Sequence, residues 1–269
     1  MSSTVVLAGC GNMGFAMLAG WLESGRLLAA EVWVVEPDAV LRSRAAGLGV
    51  KAVADAGAIR AAAPRLIVLA VKPQVILAVA GDYRRFAEGG TTFLSIAAGT
   101  PIAALEKVLG AVPLVRCMPN TPAAIGKGMM VTVDNGRVAA PDAAFIDGLL
   151  SASGAVTKVA DEQLMDAVTA VSGSGPAYVF HFLEALTAAG EAAGLPVGTA
   201  ALLARQTVYG AACLAAESGE TPAKLRQQVT SPNGTTAAAL GVLMGEDRLT
   251  KLIGAAVEAA RRRSIELGR

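Results

Sequence analysis

Gly9-Cys10-Gly11-Asn12-Met13-Gly14 sets three glycines at the spacing that permits a tight turn, a close backbone approach to a pyrophosphate, and tight packing of helix on strand. The segment directly follows the apolar run Val5-Val6-Leu7-Ala8, so it would open a helix whose free N–H groups and positive dipole end face an anion. That context points to dinucleotide binding. Glu36 stands about twenty residues further on, at the end of a second β-branched run, where a carboxylate bonds ribose hydroxyls and repels a 2′-phosphate. Its side chain favours NADH over NADPH. The plainer reading is a solvated Glu before Pro37-Asp38, and Arg42 or Arg44 could neutralise it and readmit the phosphate.

Four further segments carry polar groups at predicted element ends. Ala70-Val71-Lys72-Pro73 ends a strand; Pro73 can begin a helix, and Lys72 would project at the carboxyl edge of a sheet, where open α/β folds bind ligands. Arg116-Cys117-Met118-Pro119-Asn120-Thr121-Pro122 ends another, with prolines fixing the backbone around Asn120 and Thr121. Ser172-Gly173-Ser174-Gly175-Pro176-Ala177-Tyr178 gives a long helix a Gly-rich start. Val229-Thr230-Ser231-Pro232-Asn233-Gly234-Thr235-Thr236 puts hydroxyls and a flexible Gly before a helix, donors suited to a carboxylate. Each segment taken singly also reads as a loop and helix cap.

Other chemistries lack their residues. There is no Ser-His-Asp set and no metal-ligand spacing. The single histidine, His181, sits among Phe180, Phe182 and Leu183, which predicts a buried structural role. Cys10, Cys117 and Cys213 are an odd count with no CxxC, as expected of buried thiols in a reducing compartment.

The elements that must position these groups fall into two blocks. Up to about Lys158, short apolar strands alternate with Ala-rich helical stretches: Val5–Ala8, 32–35, 66–69, 92–96, 114–116 and 129–133. Such runs separated by helices predict an α/β fold, a doubly wound, Rossmann-type parallel sheet covered on both faces. Beyond about Asp161 the pattern becomes helical, over 175–193, 197–216, 222–228, 235–244 and 247–267. The expected division is therefore 1–160 for a dinucleotide-binding domain and 161–269 for an all-α domain. Its Ala-rich helices bury little area singly, so they suit packing against a second subunit.

Composition narrows the classes. A 54% hydrophobic fraction is inflated by Ala, and the chain is ordinary globular material. Met1 to Leu22 is uncharged and long enough to span a bilayer, yet it holds Ser, Thr, Asn and four glycines with no basic start. It reads as strand, turn and helix, and the expectation is a soluble cytoplasmic protein without a membrane partner. A net charge of +1 and 4% aromatic content argue against nucleic acid. Arg261-Arg262-Arg263 reads as the solvated end of the last helix.

Taken together and in order, these segments resemble pyrroline-5-carboxylate reductase, from Gly9 to about Arg263. Val-Thr-Ser-Pro-Asn-Gly-Thr-Thr is close to the family signature; Met-Pro-Asn-Thr-Pro and Ser-Gly-Ser-Gly-Pro-Ala-Tyr reinforce it. The resemblance implies reduction of 1-pyrroline-5-carboxylate to L-proline by NADPH or NADH, the last step of proline biosynthesis. It places Ala8, Gly9, Cys10, Gly11, Asn12, Met13, Gly14, Glu36, Ala70, Val71, Lys72, Pro73, Ile96, Ala97 and Ala98 along the cofactor. Asn120 and Thr121 would lie near the nicotinamide end and the substrate. Ser231, Gly234, Thr235 and Thr236 would hold the substrate carboxylate and ring nitrogen, with Thr236 contacting the imine nitrogen as the catalytic candidate. It also implies a homodimer through the C-terminal helices, with an active site drawn from both subunits and larger rings of dimers among relatives. Two positions depart: Asn233 stands where many members have Gly, and Glu36 replaces the small polar residue of NADPH-using members.

A protonated cyclic imine is already electrophilic, so its reduction needs positioning and electrostatics rather than a nucleophile or metal. Two other readings remain open. A two-domain hydroxyacid dehydrogenase would carry a Lys on the first interdomain helix, where Phe180, His181 and Phe182 stand. A non-catalytic dinucleotide sensor would have no use for clustered hydroxyls at 231, 235 and 236.

Overall fold

The structure, a computed structural model, describes residues 4–60 and 63–268. It divides into two compact units, one running to Ser174 and resuming at Ala260, the other Gly175–Ala259.

In the first unit the strands are β1 (Val5–Ala8), β2 (Val32–Val35), β3 (Lys51–Val53), β4 (Leu66–Leu69), β5 (Thr92–Ser95), β6 (Leu114–Met118), β7 (Gly128–Asp134) and β8 (Gly154–Lys158). The helices are α1 (Asn12–Glu23), α2 (Ala39–Ala46), α3 (Ile76–Asp82), α4 (Ile102–Leu109), α5 (Ala140–Ser151) and the short α6 (Met165–Val168). One sheet of order β3-β2-β1-β4-β5-β6-β7-β8 results. The strands are apolar throughout because both faces are covered. Val5 and Leu7 pack with Met17, Leu18 and Trp21 of α1 and with Leu149 and Leu150 of α5. Val6 and Ala8 point the other way, to Ile76 and Ala80 of α3 and Leu105 and Leu109 of α4. Burying each large side chain of this kind contributes roughly 1.5–3 kcal/mol.

The chain winds outward from β1 to β3, then returns to add β4 on the other side of β1. Strand order thus reverses between β1 and β4, paired in parallel with Ala8 opposite Leu69. In open α/β sheets the ligand crevice lies at the carboxyl ends of such a pair.

The sheet differs from the expected one in three places. β7 is antiparallel to β6, because residues 119–127 are too few for the dozen or more that a parallel crossover requires. β3 and β8 were not legible as strands: both lie at sheet edges, and Lys51, Thr157 and Lys158 break the apolar run. Past β8 the chain stays with this unit. Glu162 bonds the buried Arg116 at 2.8 Å, and Ser264 Oγ donates to Asp166 at 2.6 Å.

The second unit is helical: α7 (Gly175–Ala192), α8 (Val197–Glu217), α9 (Pro222–Gln228), α10 (Thr235–Met244) and the larger part of α11 (Arg248–Leu267). α7 and α8 approach closely through small residues; a Cβ on Gly190 would stand 3.2 Å from that of Ala200. Ala200 and Ala204 are the buried apolar residues of this unit among those described, while Phe180, Leu202, Val242 and Leu252 are 57, 54, 62 and 67% exposed. The second unit thus carries a wide apolar surface that its own helices do not cover. No helix among the described residues is long and apolar enough to cross a membrane.

Candidate functional site

The glycine loop leaves β1 at Gly9, whose φ of +90° lies in the left-handed region. A Cβ there would stand 2.7 Å from both the Ala70 carbonyl oxygen and Val71 Cγ1, so the two residues that follow β4 press directly on the turn. A Cβ on Gly14 would meet the Gly9 carbonyl oxygen at 2.5 Å, which lets α1 start against the strand end. Gly11 is different. Its φ is −62°, and a Cβ would meet nothing within 4 Å. The protein itself therefore does not require glycine at 11. The open space beside it adjoins the N-terminus of α1, which has no side-chain cap. This cradle fits a dinucleotide pyrophosphate.

Gly11→Ala is accordingly expected to leave the thermal midpoint within about 2 °C of wild type while weakening dinucleotide binding about tenfold or more. Differential scanning fluorimetry and cofactor titration on one preparation would check both halves.

A cleft of about 450 Å³ runs from this loop along the edge of β2, lined by Ala8, Gly9, Gly11, Glu36, Ala70, Val71 and Lys72 among the expected cofactor residues. Glu36 is 7% exposed. Its carboxylate accepts the Cys10 N–H at 2.7 Å and the Asp38 N–H at 3.0 Å. Asp38 in turn caps α2 by accepting the N–H groups of Val40 and Leu41, which fixes the backbone around Glu36. A carboxylate has about four acceptor positions, so two remain for ligand hydroxyls. The far wall comes from α3 and the residues flanking it, where Val75, Val79, Asp82 and Tyr83 face the cleft. Those four were missed in the sequence, although their helical spacing after Pro73 is the signal that could have found them. Burial, reinforced by the Asp82 charge, holds the Tyr83 hydroxyl protonated far above its ordinary range.

The other expected cofactor residues do not line this cleft. Pro73 and Ala98 line a second cleft of about 320 Å³, closed on one side by Leu267 and Gly268. Cys10 and Ala97 are buried, Met13 and Ile96 are half-buried, and Asn12 is exposed at the start of α1. Burial pushes the Cys10 thiol up to about 11 and the Cys117 thiol higher still, so both are inert thiols at neutral pH. Cys213 departs from expectation, being only half-buried on α8.

Asn120 is held on both sides of its amide. Its Oδ1 accepts the Met129 N–H at 2.8 Å, and its Nδ2 donates to the Ser172 carbonyl at 3.2 Å and hydroxyl at 3.4 Å. It thereby joins the end of β6 to β7 and to the Gly-rich segment, whose Gly173 lies against the Met118 side chain. Thr121 opens a 3-10 turn and is exposed.

In the second unit Asn233 has a φ of 60°, a conformation in which Asn is the best-tolerated residue after Gly. The replacement of glycine at 233 thus keeps the turn. Gly234 forms the start of α10, donates its N–H to the Ser231 carbonyl at 3.1 Å, and lies beneath the Ser231 hydroxyl, where a Cβ would collide. α10 has no side-chain cap, so its first N–H groups are open. Ser231 and Thr235 are exposed and Thr236 is half-buried. Three hydroxyls and an open helix N-terminus thus come from six consecutive residues.

His181 overturns the expectation of burial. Its side chain is 82% exposed and lies 3.0 Å from Glu184 one turn along α7. The neighbouring Phe180 and Phe182 are also exposed, because the apolar surface of α7 is wider than α8 alone covers. An apolar neighbourhood in sequence was mistaken for a covered one.

Comparison with known proteins agrees in both halves of the chain. Residues 162–267 match the family described as pyrroline-5-carboxylate reductase dimerisation, and residues 4–99 match that described as NADP oxidoreductase, coenzyme F420-dependent. A pyrroline-5-carboxylate reductase from Pseudomonas aeruginosa is 42% identical over 264 residues, covering 98% of this chain and 96% of its own. One from Synechocystis is 39% identical with both chains fully covered. Among solved structures, a pyrroline-5-carboxylate reductase from Coxiella burnetii superposes with a TM-score of 0.93 at 34% identity, covering 100% of each chain. The Plasmodium falciparum pyrroline carboxylate reductase, solved with NADP bound, gives 0.84 at 27% identity over 99% of this chain and 98% of its own. With both halves and the full length matched, the chain belongs to the pyrroline-5-carboxylate reductase family.

Proposed function

We propose that this protein reduces 1-pyrroline-5-carboxylate to L-proline with NADH or NADPH, the last step of proline biosynthesis, in the cytoplasm. The observation that carries the reading is the uncapped start of α10, where the Ser231, Thr235 and Thr236 hydroxyls make no hydrogen bond with other described residues. Three unpaired hydroxyls beside open N–H groups suit a small carboxylate with a neighbouring nitrogen.

Residues 1–160 would form the dinucleotide-binding domain and 161–269 the substrate-binding and dimerisation domain. The pyrophosphate would rest on Gly9 to Gly14, the ribose on Glu36, and the walls would come from Ala70 to Pro73 and Ile96 to Ala98. Asn120 and Thr121 would bound the nicotinamide end. A reduced nicotinamide supplies a hydride.

The remaining work is positional. Ser231 Oγ, Thr235 Oγ1 and the N–H groups that open α10 hold the carboxylate and so fix the ring. Solvent protonates the ring nitrogen, and Thr236 Oγ1 accepts its N–H, keeping the positive charge and the electrophilic carbon in place. No side-chain acid is required, in keeping with the exposed position of His181. The exposed apolar faces of the second unit are the proposed homodimer surface, with a ring of dimers as the larger assembly.

Loss of absorbance at the reduced-nicotinamide band, with 1-pyrroline-5-carboxylate and each cofactor in turn, tests this directly. Turnover is expected with at least one of them; none with either would contradict the reading.

A further inference from the structure

The arginines beside Glu36 do not neutralise it. Arg42 Nη1 donates to the carbonyls of Glu36 and Pro37, both at 2.8 Å. Arg44 lies 4.0 Å over the Phe15 ring, and its Nη2 donates to the Cys10 carbonyl at 2.9 Å. Neither guanidinium forms an ion pair with the carboxylate among the described residues. The Glu36 charge is instead held by two backbone N–H groups, which fix its position without cancelling it.

The rest of the cleft adds to that charge. Asp55 and Asp82 line it with Glu36, against Lys72 alone on the positive side. A phosphate on the ribose would enter a net-negative, half-enclosed space at its most buried carboxylate, where like charges in contact are costly. Ribose hydroxyls would instead donate to the free acceptor positions of Glu36.

Arg42 carries the complementary part. Its Nη1, with two of the five N–H donors, serves both carbonyls, which leaves the three on Nε and Nη2 outside those bonds, on a residue that follows Leu41 and is anchored to Pro37, both of which line the cleft. It could receive a phosphate while keeping those bonds. The Glu36 carboxylate is what stands against that use.

Resting on the dinucleotide reading above, we propose that Glu36 makes this cleft selective for NADH over NADPH, and that Arg42 is a latent 2′-phosphate ligand unmasked when the Glu36 charge is removed. The pair is then a specificity switch operated by one side chain.

Fluorescence titration of the full chain with NADH and with NADPH, without substrate, reads this independently of turnover. NADH is expected to bind about tenfold or more tightly than NADPH. In Glu36→Gln, checked for an unchanged thermal midpoint, NADPH should gain about tenfold relative to NADH, and Glu36→Gln with Arg42→Ala should lose that gain. Equal or tighter NADPH binding by the wild type overturns the proposal and leaves dinucleotide binding intact. A gain that survives Arg42→Ala overturns the role of Arg42. Failure of both dinucleotides to bind at millimolar concentration overturns the dinucleotide reading itself. Should Glu36→Gln not fold, competition on the wild type decides: 5′-AMP should displace NADH, and 2′,5′-ADP should do so about tenfold less well; equal displacement overturns the proposal.

Discussion

Gly9→Ala is expected to lower the unfolding free energy by about 3–5 kcal/mol and to abolish measurable dinucleotide binding. Two costs add at this position. The φ of +90° is one that side-chain-bearing residues rarely adopt, worth about 1–3 kcal/mol. The new methyl would also sit 2.7 Å from the carbonyl oxygen of Ala70, a backbone atom of the residue directly after β4 that cannot rotate away as a side chain would. Moving it would disturb the hydrogen bond from the Ala70 N–H to the Ala8 carbonyl at 2.7 Å and the pairing of β1 with β4. Against a typical total stability of about 5–15 kcal/mol, this is a large fraction. Urea denaturation of the two proteins side by side measures it, and an unchanged midpoint would mean that the loop relaxes. The contrast with Gly11→Ala separates the roles of two glycines in one motif: the fold requires the first, and the ligand requires the second.

Thr236→Ala should lower kcat/KM for 1-pyrroline-5-carboxylate by roughly 10- to 100-fold, the loss of one hydrogen bond to a charged group worth about 1.5–3 kcal/mol. Because the hydroxyl has no partner within the described chain, stability should hardly change. Dinucleotide affinity should also be retained, since the role proposed for Thr236 is toward the substrate's ring nitrogen and not toward the cofactor. Thr236→Ser keeps the oxygen and should recover most of the rate. Steady-state kinetics of the three proteins, with a thermal midpoint for each, distinguish this role from a structural one. Wild-type turnover and unchanged substrate affinity in Thr236→Ala would remove Thr236 from the reaction.

The parts of the fold legible in the sequence were those whose signal is both local and redundant. β1, β2 and β4 are short β-branched runs buried on both faces, and the loop at Gly9 carries its own geometry in its residue spacing. α7 to α11 begin and end within a residue or so of their expected limits, because Pro196, Thr221-Pro222 and Gly234 mark the starts. What was missed depends on neighbours distant in sequence. β3 and β8 are strands because β2 and β7 pair with them, and the direction of β7 follows from a connection length.

The candidate site shows the same division. Glu36 could be placed at the end of β2 from its spacing, but not its bonds to Cys10 and Asp38, nor the carbonyls that engage Arg42. The α3 wall of the cleft, with Val79 and Tyr83, carries no polar motif and stood out only once the helix was seen beside β1. His181 was misread because sequence neighbours report what a residue sits among, not whether anything covers it.

The proposed activity turns on hydride delivery to the imine carbon of a carboxylate-bearing ring. Turnover of 1-pyrroline-5-carboxylate with dinucleotide deuterated at C4 of the nicotinamide, followed by mass spectrometry and NMR of the product, tests it most directly. The expected result is L-proline with one deuterium on the ring carbon that was doubly bonded to nitrogen. Proline without deuterium, from dinucleotide labelled in either C4 position, or no proline at all, would contradict it.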